Sequence, residues 1–279
     1  MLFFYDRQTG GAASGKLDGS GDYVNLNDFP AGQFGEWTHV VPGGGQLFFY
    51  DRQTRGAASG KLDASGDYVN LKDFPAGQFG EWTDVVPDGV LVFFYDRQTR
   101  GAASGKLDTS GDYVNLKDFP AGQFGDWTRI VSAGGDFFAR FFFYSKDTGG
   151  GASGELRDDG DYVNLKDFPA GQFGKWTNIV FDEGASKLFF YSKDTGGAAS
   201  GKLDNGGDYV NLKDFPAGQF GQWTNIVSTR SKLFFYNQDT GAAASGELDE
   251  GGGYVNLKDF PAGQFGSWTN LGVTQEGTP

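Results

Sequence analysis

Short apolar runs alternate with glycine- and aspartate-rich turns along the whole chain, and no stretch has the 3.6-residue period of an amphipathic helix. Between residues 82 and 119 the runs read WTDVV, LVFFYD, ASGKLD and DYVNLKDF, separated by PDG, QTRGA and TSG. Connections this short join antiparallel neighbours. The pattern therefore predicts a meander of four strands and an all-β fold.

The same meander recurs six times at intervals of about 45 residues, which is the length of a propeller blade. We divide the chain into units 2–36, 37–81, 82–126, 127–175, 176–222 and 223–267, followed by a strand at 268–273, within a single domain of residues 1–279. Strands rich in large aromatic residues lie beside strands of Ala, Ser and Gly, as expected for sheets that stack face to face. The prediction is a six-bladed β-propeller of four-stranded antiparallel blades.

The phase of the repeat predicts how the ring closes. Residues 2–29 lack a WT strand of their own, and residues 268–273 are a WT strand that no further unit follows. We expect this C-terminal strand to join the N-terminal blade, which removes two open sheet edges. A pair of β-trefoils is the alternative, supported by the change from DRQT to SKDT at mid-chain, but each trefoil would have to close separately.

Alternating strand directions sort the connections onto two faces. The fixed face carries the inter-blade link DFPAGQFG and the loops DRQT, SKDT and NQDT, whereas the variable face carries loops such as VPGGGQ and LDGSGD. Sequence differences among the units collect on the variable face. Two interpretations stay open: the fixed face holds tight joints that need Pro and Gly, or it holds six equivalent ligand pockets.

Three sets of residues on the fixed face are candidate ligand contacts. A tryptophan offers either packing between blades or a platform for the apolar face of a sugar, and a glutamine between two glycines has no evident packing role. A cation in the DRQT or SKDT loop becomes Gln238 in the last unit, so a strict need for a guanidinium is not expected. Asp28 is assigned to bracing its turn, while Tyr23 and Asn25 are placed near a blade edge. The candidates are Trp37, Trp82, Trp127, Trp176, Trp223 and Trp268; Gln33, Gln78, Gln123, Gln172, Gln219 and Gln264; and Arg7, Arg52, Arg97, Lys146 and Lys193.

Composition narrows the function classes. The chain has no cysteine and one histidine, His39, which disfavours repeated catalytic triads and His- or Cys-rich metal sites. The hairpin from Asp18 to Asp22 lacks the ligand count of a calcium loop and is assigned as a turn. We therefore expect no enzyme activity, no metal and no cofactor.

Net charge limits the partners that the protein can bind, and hydropathy indicates where it is located. A net charge of −13 and a pI near 4.4 disfavour nucleic acid and anionic membrane surfaces. No apolar run is long enough to span a membrane, and the N-terminus has no signal-peptide pattern, which predicts a cytoplasmic or non-classically secreted protein. We expect a monomer or weak oligomer. The junction GGDFFARFFFY is expected to expose Phe137 or Phe138 as a contact patch.

The repeated G-x-W-T, LFFY and GAASGKLD segments resemble those of repeat propeller lectins of the tachylectin and tectonin class, and the six-fold count is similar to the fungal fucose-binding propeller lectins. This resemblance implies shallow sugar pockets between blades, built from Trp37, Gln33, Arg7 and their copies. The Arg and Glu of the fucose lectins are not kept, because Glu36 and Glu81 become Asp126, Lys175, Gln222 and Ser267. The resemblance therefore implies a multivalent lectin that binds glycans without fixing the sugar. The alternative is a non-catalytic scaffold, including an engineered or recently amplified symmetric propeller.

Overall fold

Six four-stranded antiparallel sheets form a ring in the computed structural model, which describes residues 1–134, 138–229 and 231–274. These residues contain no helix. The predicted six-bladed propeller is thereby confirmed. We number the blades 1 to 6 in chain order and call the junction between successive blades a seam.

The two inner strands of each blade lie nearest the ring axis. The innermost strands are β4 (His39–Gly43), β8 (Asp84–Asp88), β12 (Arg129–Ser132), β16 (Asn178–Asp182), β20 (Asn225–Thr229) and β24 (Asn270–Val273). The second strands are β1 (Leu2–Asp6), β5 (Gln46–Asp51), β9 (Leu91–Asp96), β13 (Ala139–Ser145), β17 (Lys187–Ser192) and β21 (Lys232–Asn237).

The two outer strands complete each sheet. The third strands are β2 (Gly11–Leu17), β6 (Gly56–Leu62), β10 (Gly101–Leu107), β14 (Gly150–Leu156), β18 (Gly197–Leu203) and β22 (Ala242–Leu248). The outermost strands are β3 (Tyr23–Phe29), β7 (Tyr68–Phe74), β11 (Tyr113–Phe119), β15 (Tyr162–Phe168), β19 (Tyr209–Phe215) and β23 (Tyr254–Phe260).

The ring closes in blade 1, where β24 pairs with β1 in the order β24-β1-β2-β3. Leu2 faces Val273 and Tyr5 faces Asn270 in this antiparallel ladder. The predicted closure by the C-terminal strand is confirmed, but the strand begins at Asn270 and not at Trp268. The backbone N–H of Trp268 donates to the Tyr236 hydroxyl at 2.8 Å, which holds the tryptophan in the link that precedes the strand.

The core lies between blades because the aromatic residues of each second strand point alternately to the two sides of the sheet. Phe49 packs in the cluster shared with blade 1, and Phe48 packs in the cluster shared with blade 3. Phe3 and Phe49 meet edge to face with centroids 6.0 Å apart. Full burial of one such ring contributes about 1.5–3 kcal/mol, so these repeated contacts account for much of the stability of the ring.

A buried serine also joins every pair of neighbouring blades. Ser59 Oγ in β6 donates to the carbonyl of Gly111 at 2.8 Å, and Gly111 lies in the loop between β10 and β11 with φ of 86°. The same bond closes the ring, since Ser245 Oγ donates to the Gly21 carbonyl at 2.7 Å. The small third strand thus brings a hydroxyl within reach of the next blade.

Candidate functional site

The inter-blade link and the loop between the second and third strands form one surface. The Gly32 N–H donates to the Thr9 carbonyl at 2.8 Å, and the Phe34 N–H donates to the Gly10 carbonyl at 2.9 Å. Phe34 is buried, which anchors the link to the core. These bonds bring together the two sequence segments that we assigned to the fixed face.

A buried tyrosine fixes the position of each tryptophan backbone. Tyr50 is fully buried; its hydroxyl donates to the Gly80 carbonyl at 2.6 Å and accepts from the Trp82 N–H at 3.0 Å. Burial raises the pKa of the Tyr50 phenol, so the hydroxyl keeps the proton that it donates. This bridge explains the tyrosine of FFY as part of a joint.

The indole lies across a glycine two residues before it. A Cβ added to Gly174 would lie 3.2 Å from Trp176 Cζ2, and one added to Gly80 would lie 2.7 Å from Trp82 Cζ2. The half-buried Trp176 ring also packs on Phe190, with centroids 5.9 Å apart. This close approach favours glycine in the G-x-W pattern, most strictly at Gly80 and Gly125, where an added Cβ would lie 2.7 Å from the indole. The tryptophan packs on the second strand of the blade that it precedes and still keeps part of its surface in solvent.

A cavity of about 390 Å³ lies at the seam between blades 4 and 5. Gln172 and Trp176 of the link line one side, and Tyr209, Asn211 and Asp214 of β19 line the other. The Tyr209 hydroxyl donates to Asn211 Oδ1 at 3.3 Å, and Asn211 Nδ2 donates to Asp214 Oδ2 at 3.1 Å. The cavity thus places an aromatic surface beside a pre-oriented amide and carboxylate.

The same residue types meet at every seam. The link phenylalanine and the outer-strand tyrosine lie with ring centroids 5.0 or 5.1 Å apart in all six cases, and the Asn–Asp hydrogen bond recurs at 3.0 to 3.3 Å. The sets are Gln33, Trp37, Tyr68, Asn70 and Asp73; Gln78, Trp82, Tyr113, Asn115 and Asp118; Gln123, Trp127, Tyr162, Asn164 and Asp167; Gln172, Trp176, Tyr209, Asn211 and Asp214; Gln219, Trp223, Tyr254, Asn256 and Asp259; and Gln264, Trp268, Tyr23, Asn25 and Asp28.

The structure brings the predicted tryptophan and glutamine together at the seam. All six glutamines are exposed, and in the described part of the chain their side chains make no hydrogen bond. The sequence pattern placed Asn25 near a blade edge and not among the ligand contacts, and it assigned Asp28 to its turn, whereas Asp28 Oδ2 accepts from Asn25 Nδ2 at 3.0 Å. The available signal was the polar spacing Y-x-N-x-x-D on a strand whose polar positions are exposed.

The predicted cations lie elsewhere on the fixed face, nearer the axis, and three of them bridge successive blades. Arg97 pairs with Asp147 at 2.8 Å, Lys146 with Asp194 at 3.5 Å and Lys193 with Asp239 at 3.9 Å. Arg7 and Arg52 have no such aspartate in the next blade, because the equivalent residues there are Gln53 and Gln98. Neither arginine makes an ion pair within residues 1–134, 138–229 and 231–274. None of these five cations lines the cavity of Gln172 and Trp176.

The first residues of the six innermost strands form a polar axial ring on the fixed face. They are His39, Asp84, Arg129, Asn178, Asn225 and Asn270. The His39 Nε2 lies 3.0 Å from the Thr83 carbonyl and its Nδ1 lies 2.9 Å from Thr38 Oγ1. Burial lowers the pKa of His39 and raises that of Asp84. Next along these strands, a cavity of about 310 Å³ is lined by aliphatic side chains such as Ile130, Ile179 and Ile226 together with polar residues such as Asp88 and Glu183.

Three further predictions concern the junction before β13, metal binding and membrane spans. Phe138 is exposed, as expected for the junction before β13, while Phe137 lies outside the described residues. Across the described ranges, no cluster of three or more His, Cys, Asp or Glu side chains is placed to hold a metal ion. No helix in this part of the chain is long and apolar enough to span a bilayer.

Comparison with known proteins shows the fold and no family. No family model matches the sequence, and no curated protein matches it. The periplasmic gluconolactonase of Pseudomonas aeruginosa aligns over 97% of this chain and 98% of its own, at 13% identity and a TM-score of 0.56. A chain of a nidogen/laminin complex aligns over 97% of both chains, at 13% identity and a TM-score of 0.57. A protein of unknown function from Desulfotomaculum acetoxidans gives 12% identity, a TM-score of 0.61 and coverage of 95% and 80%.

Proposed function

We propose that the protein is a multivalent carbohydrate-binding protein with one sugar pocket at each seam. The observation that supports this most is the repeated meeting of a half-exposed indole with a hydrogen-bonded Asn–Asp pair, as in Trp176, Asn211 and Asp214. The likeness of the G-x-W-T and LFFY segments to propeller lectins agrees with it.

The chemistry of the pocket suits a pyranose ring. The apolar face of such a ring packs on an aromatic platform, while its hydroxyls need both donors and acceptors. Asn211 retains one free amide hydrogen after bonding Asp214, and the Oδ1 of that carboxylate is open to a hydroxyl donor. The exposed Gln172 adds a second amide at the rim.

Repetition compensates for a shallow site. Each pocket is open to solvent and offers few polar groups, so we expect weak binding of a single sugar. Six pockets on a rigid ring raise the affinity for a glycan-coated surface through effective concentration. This favours recognition of clustered glycans over capture of free monosaccharides.

Catalysis is the competing function because three solved structures of similar fold carry gluconolactonase names. Within the described residues, however, the sole histidine has both ring nitrogens next to protein groups, which disfavours His39 as a general base. Lactone hydrolysis is therefore measured only as a result that would contradict sugar binding.

The test is glycan-array binding by the full chain and by two matched variants. The site variant replaces the pocket asparagines by Ala at Asn25, Asn70, Asn115, Asn164, Asn211 and Asn256. The control replaces Glu36, Glu81 and Lys175 by Ser, the residue found before Trp268, since this exposed link position already varies among the units. We expect wild type and control to bind the same glycans and the site variant to lose them while keeping its melting temperature within a few degrees.

Two results would contradict the proposal. Absence of binding to any glycan at high protein density would favour a scaffold. Lactone turnover by the wild type that survives in the asparagine variant would favour an enzyme that works elsewhere on the ring.

A further inference from the structure

A second cavity, of about 270 Å³, lies on the axial side of Trp176. Its lining includes Arg97, Arg129, Lys146 and Asp147. Trp176 lines this cavity and also the seam cavity of Asn211, so the two cavities meet at this residue. A ligand seated on the indole can therefore extend toward the axis into a region with three cations and one carboxylate.

We infer that this axial cavity binds an acidic group, a carboxylate or sulfate carried by a sugar, and that Arg129 is its anion-binding residue. The inference rests on the proposed function, because it uses the sugar pocket beside Trp176 to hold the rest of the ligand.

Arg129 differs from the other two cations in having no counter-ion. Its side chain is solvent-accessible, and Nη2 donates to the Thr177 carbonyl at 3.1 Å. In the described residues no carboxylate lies within ion-pair distance of Arg129. Arg97, by contrast, contacts Asp126 at 2.9 Å and Asp147 at 2.8 Å. Lys146 contacts Asp194 at 3.5 Å.

The guanidinium of Arg129 is exposed and has donors free for a ligand. Although it reaches solvent, the protein atoms around it lower its pKa, and Asp84 of the neighbouring blade partly offsets this shift. Asp84 is itself engaged, because Thr83 Oγ1 donates to its Oδ2 at 2.9 Å. A guanidinium has five N–H donors in a planar fork, and Arg129 uses one of them here. The remaining donors match the geometry of a carboxylate or sulfate.

The repeat isolates this feature at one seam. Arg129 is the first residue of β12, and the equivalent residues in three other blades are neutral asparagines: Asn178, Asn225 and Asn270. The substitution Arg129→Asn therefore installs a side chain that the fold already accepts at the same position. The six pockets are consequently unequal, and we expect the acidic preference at the seam between blades 4 and 5.

The experiment uses an array of matched glycans, each printed in a neutral form, with a uronic acid and with a sulfate. The proteins are the full-length wild type, Arg129→Asn, Asn211→Ala and the control Arg55→Asn. The control makes the same charge change at an exposed loop residue of the fixed face, and its φ of 59° suits asparagine. Competition with inorganic sulfate separates a sugar-borne anion from a free one.

We expect wild type and Arg55→Asn to bind acidic members more tightly than their neutral partners, and Arg129→Asn to lose about tenfold in affinity for the acidic members only. Asn211→Ala should weaken both forms at this seam. Equal binding of neutral and acidic forms would overturn the inference and leave the proposed function standing. Failure to bind any form would overturn both. Inorganic sulfate that binds through Arg129 without any preference for acidic glycans would overturn the inference as well.

Discussion

The two faces of the ring keep their sequences for different reasons. On the variable face, the loop between the third and outer strands must place one glycine at positive φ, such as Gly111, where its carbonyl accepts the buried serine of the preceding blade. The residues before that glycine differ from blade to blade. On the fixed face, each link also has a buried phenylalanine and a glycine beneath an indole, as at Phe79 and Gly80.

Architecture thus accounts for part of the constancy of the fixed face. Burial fixes Phe79, close approach fixes Gly80, and positive φ fixes Gly77. None of these reasons applies to the exposed Gln78, whose side chain has no protein partner among the described residues. The comparison separates residues that build the ring from residues that are free to bind a ligand.

The largest effect should come from removing ring closure, which belongs to neither face. Truncation after Gly266 deletes β24 and leaves β1 with an unpaired edge. We expect a loss of about 4 kcal/mol or more in the free energy of unfolding, from lost ladder hydrogen bonds and from exposure of Phe4, which packs on Trp268 and Leu271. Urea denaturation of the full and truncated chains measures this loss in the free energy of unfolding.

A peptide of residues 267–274 added in trans is the control, and it should restore part of the lost stability. A truncated chain that unfolds at the same urea concentration as the full chain would show that the joints on the two faces hold the ring without closure.

We expect a smaller loss of stability when one joint from each face is removed. Tyr50→Phe removes the hydroxyl that bridges Gly80 and Trp82, and Ser59→Ala removes the hydroxyl that bonds Gly111. Each substitution leaves protein groups without a partner and should cost about 1–3 kcal/mol in unfolding free energy. Only Tyr50→Phe should also weaken glycan binding at the adjacent seam, because it alone releases the tryptophan backbone.

Urea denaturation and array binding of the two variants, side by side, measure both quantities. Equal loss of binding in both would mean that the site depends on global rigidity and not on the joint beneath the indole.

The smallest effect concerns pH and a single residue of the axial ring. The pKa of His39 is lowered mainly by burial, so the folded protein binds fewer protons than the unfolded chain below about pH 6.5. Stability contributed by neutral His39 is therefore present above pH 6.5 and declines as the pH falls toward the folded-state pKa. His39→Asn, which copies Asn178, should remove this decline, worth less than about 1.4 kcal/mol per pH unit.

The protein has one histidine, so its imidazole gives a single NMR titration curve that reports the folded pKa directly. A midpoint at or above 6.5 would contradict the burial argument.

The fold was predictable because it depends on periodicity within a unit. The spacing of the tryptophans predicted six blades, and the displaced phase of residues 268–273 predicted closure. Strand ends were less accurate, since the Tyr236 hydroxyl, distant in sequence, holds the Trp268 N–H and delays the start of β24. Pattern within the segment could not reveal a partner in another strand.

Only half of the residues of the candidate site could be predicted from the sequence. Trp176 and Gln172 were found because they lie in one conspicuous link, whereas Asn211 and Asp214 reach the same cavity from the next blade. Rotation about the ring axis brings them together, and a single sequence carries no measure of that rotation. The ion pairs of Lys146 with Asp194 and Lys193 with Asp239 were missed for the same reason.

The pairing of β24 with β1 also orders events in time during synthesis. Five blades are built from contiguous segments, such as β4 to β7, and have all their strands once a single unit has left the ribosome. Blade 1 must wait until Val273 has emerged to face Leu2. The nascent chain therefore carries an incomplete first sheet, with Phe4 short of its packing partners, until residue 273 has been made. Contacts of such high sequence separation form slowly, so we expect ring closure to be the last and slowest step of folding.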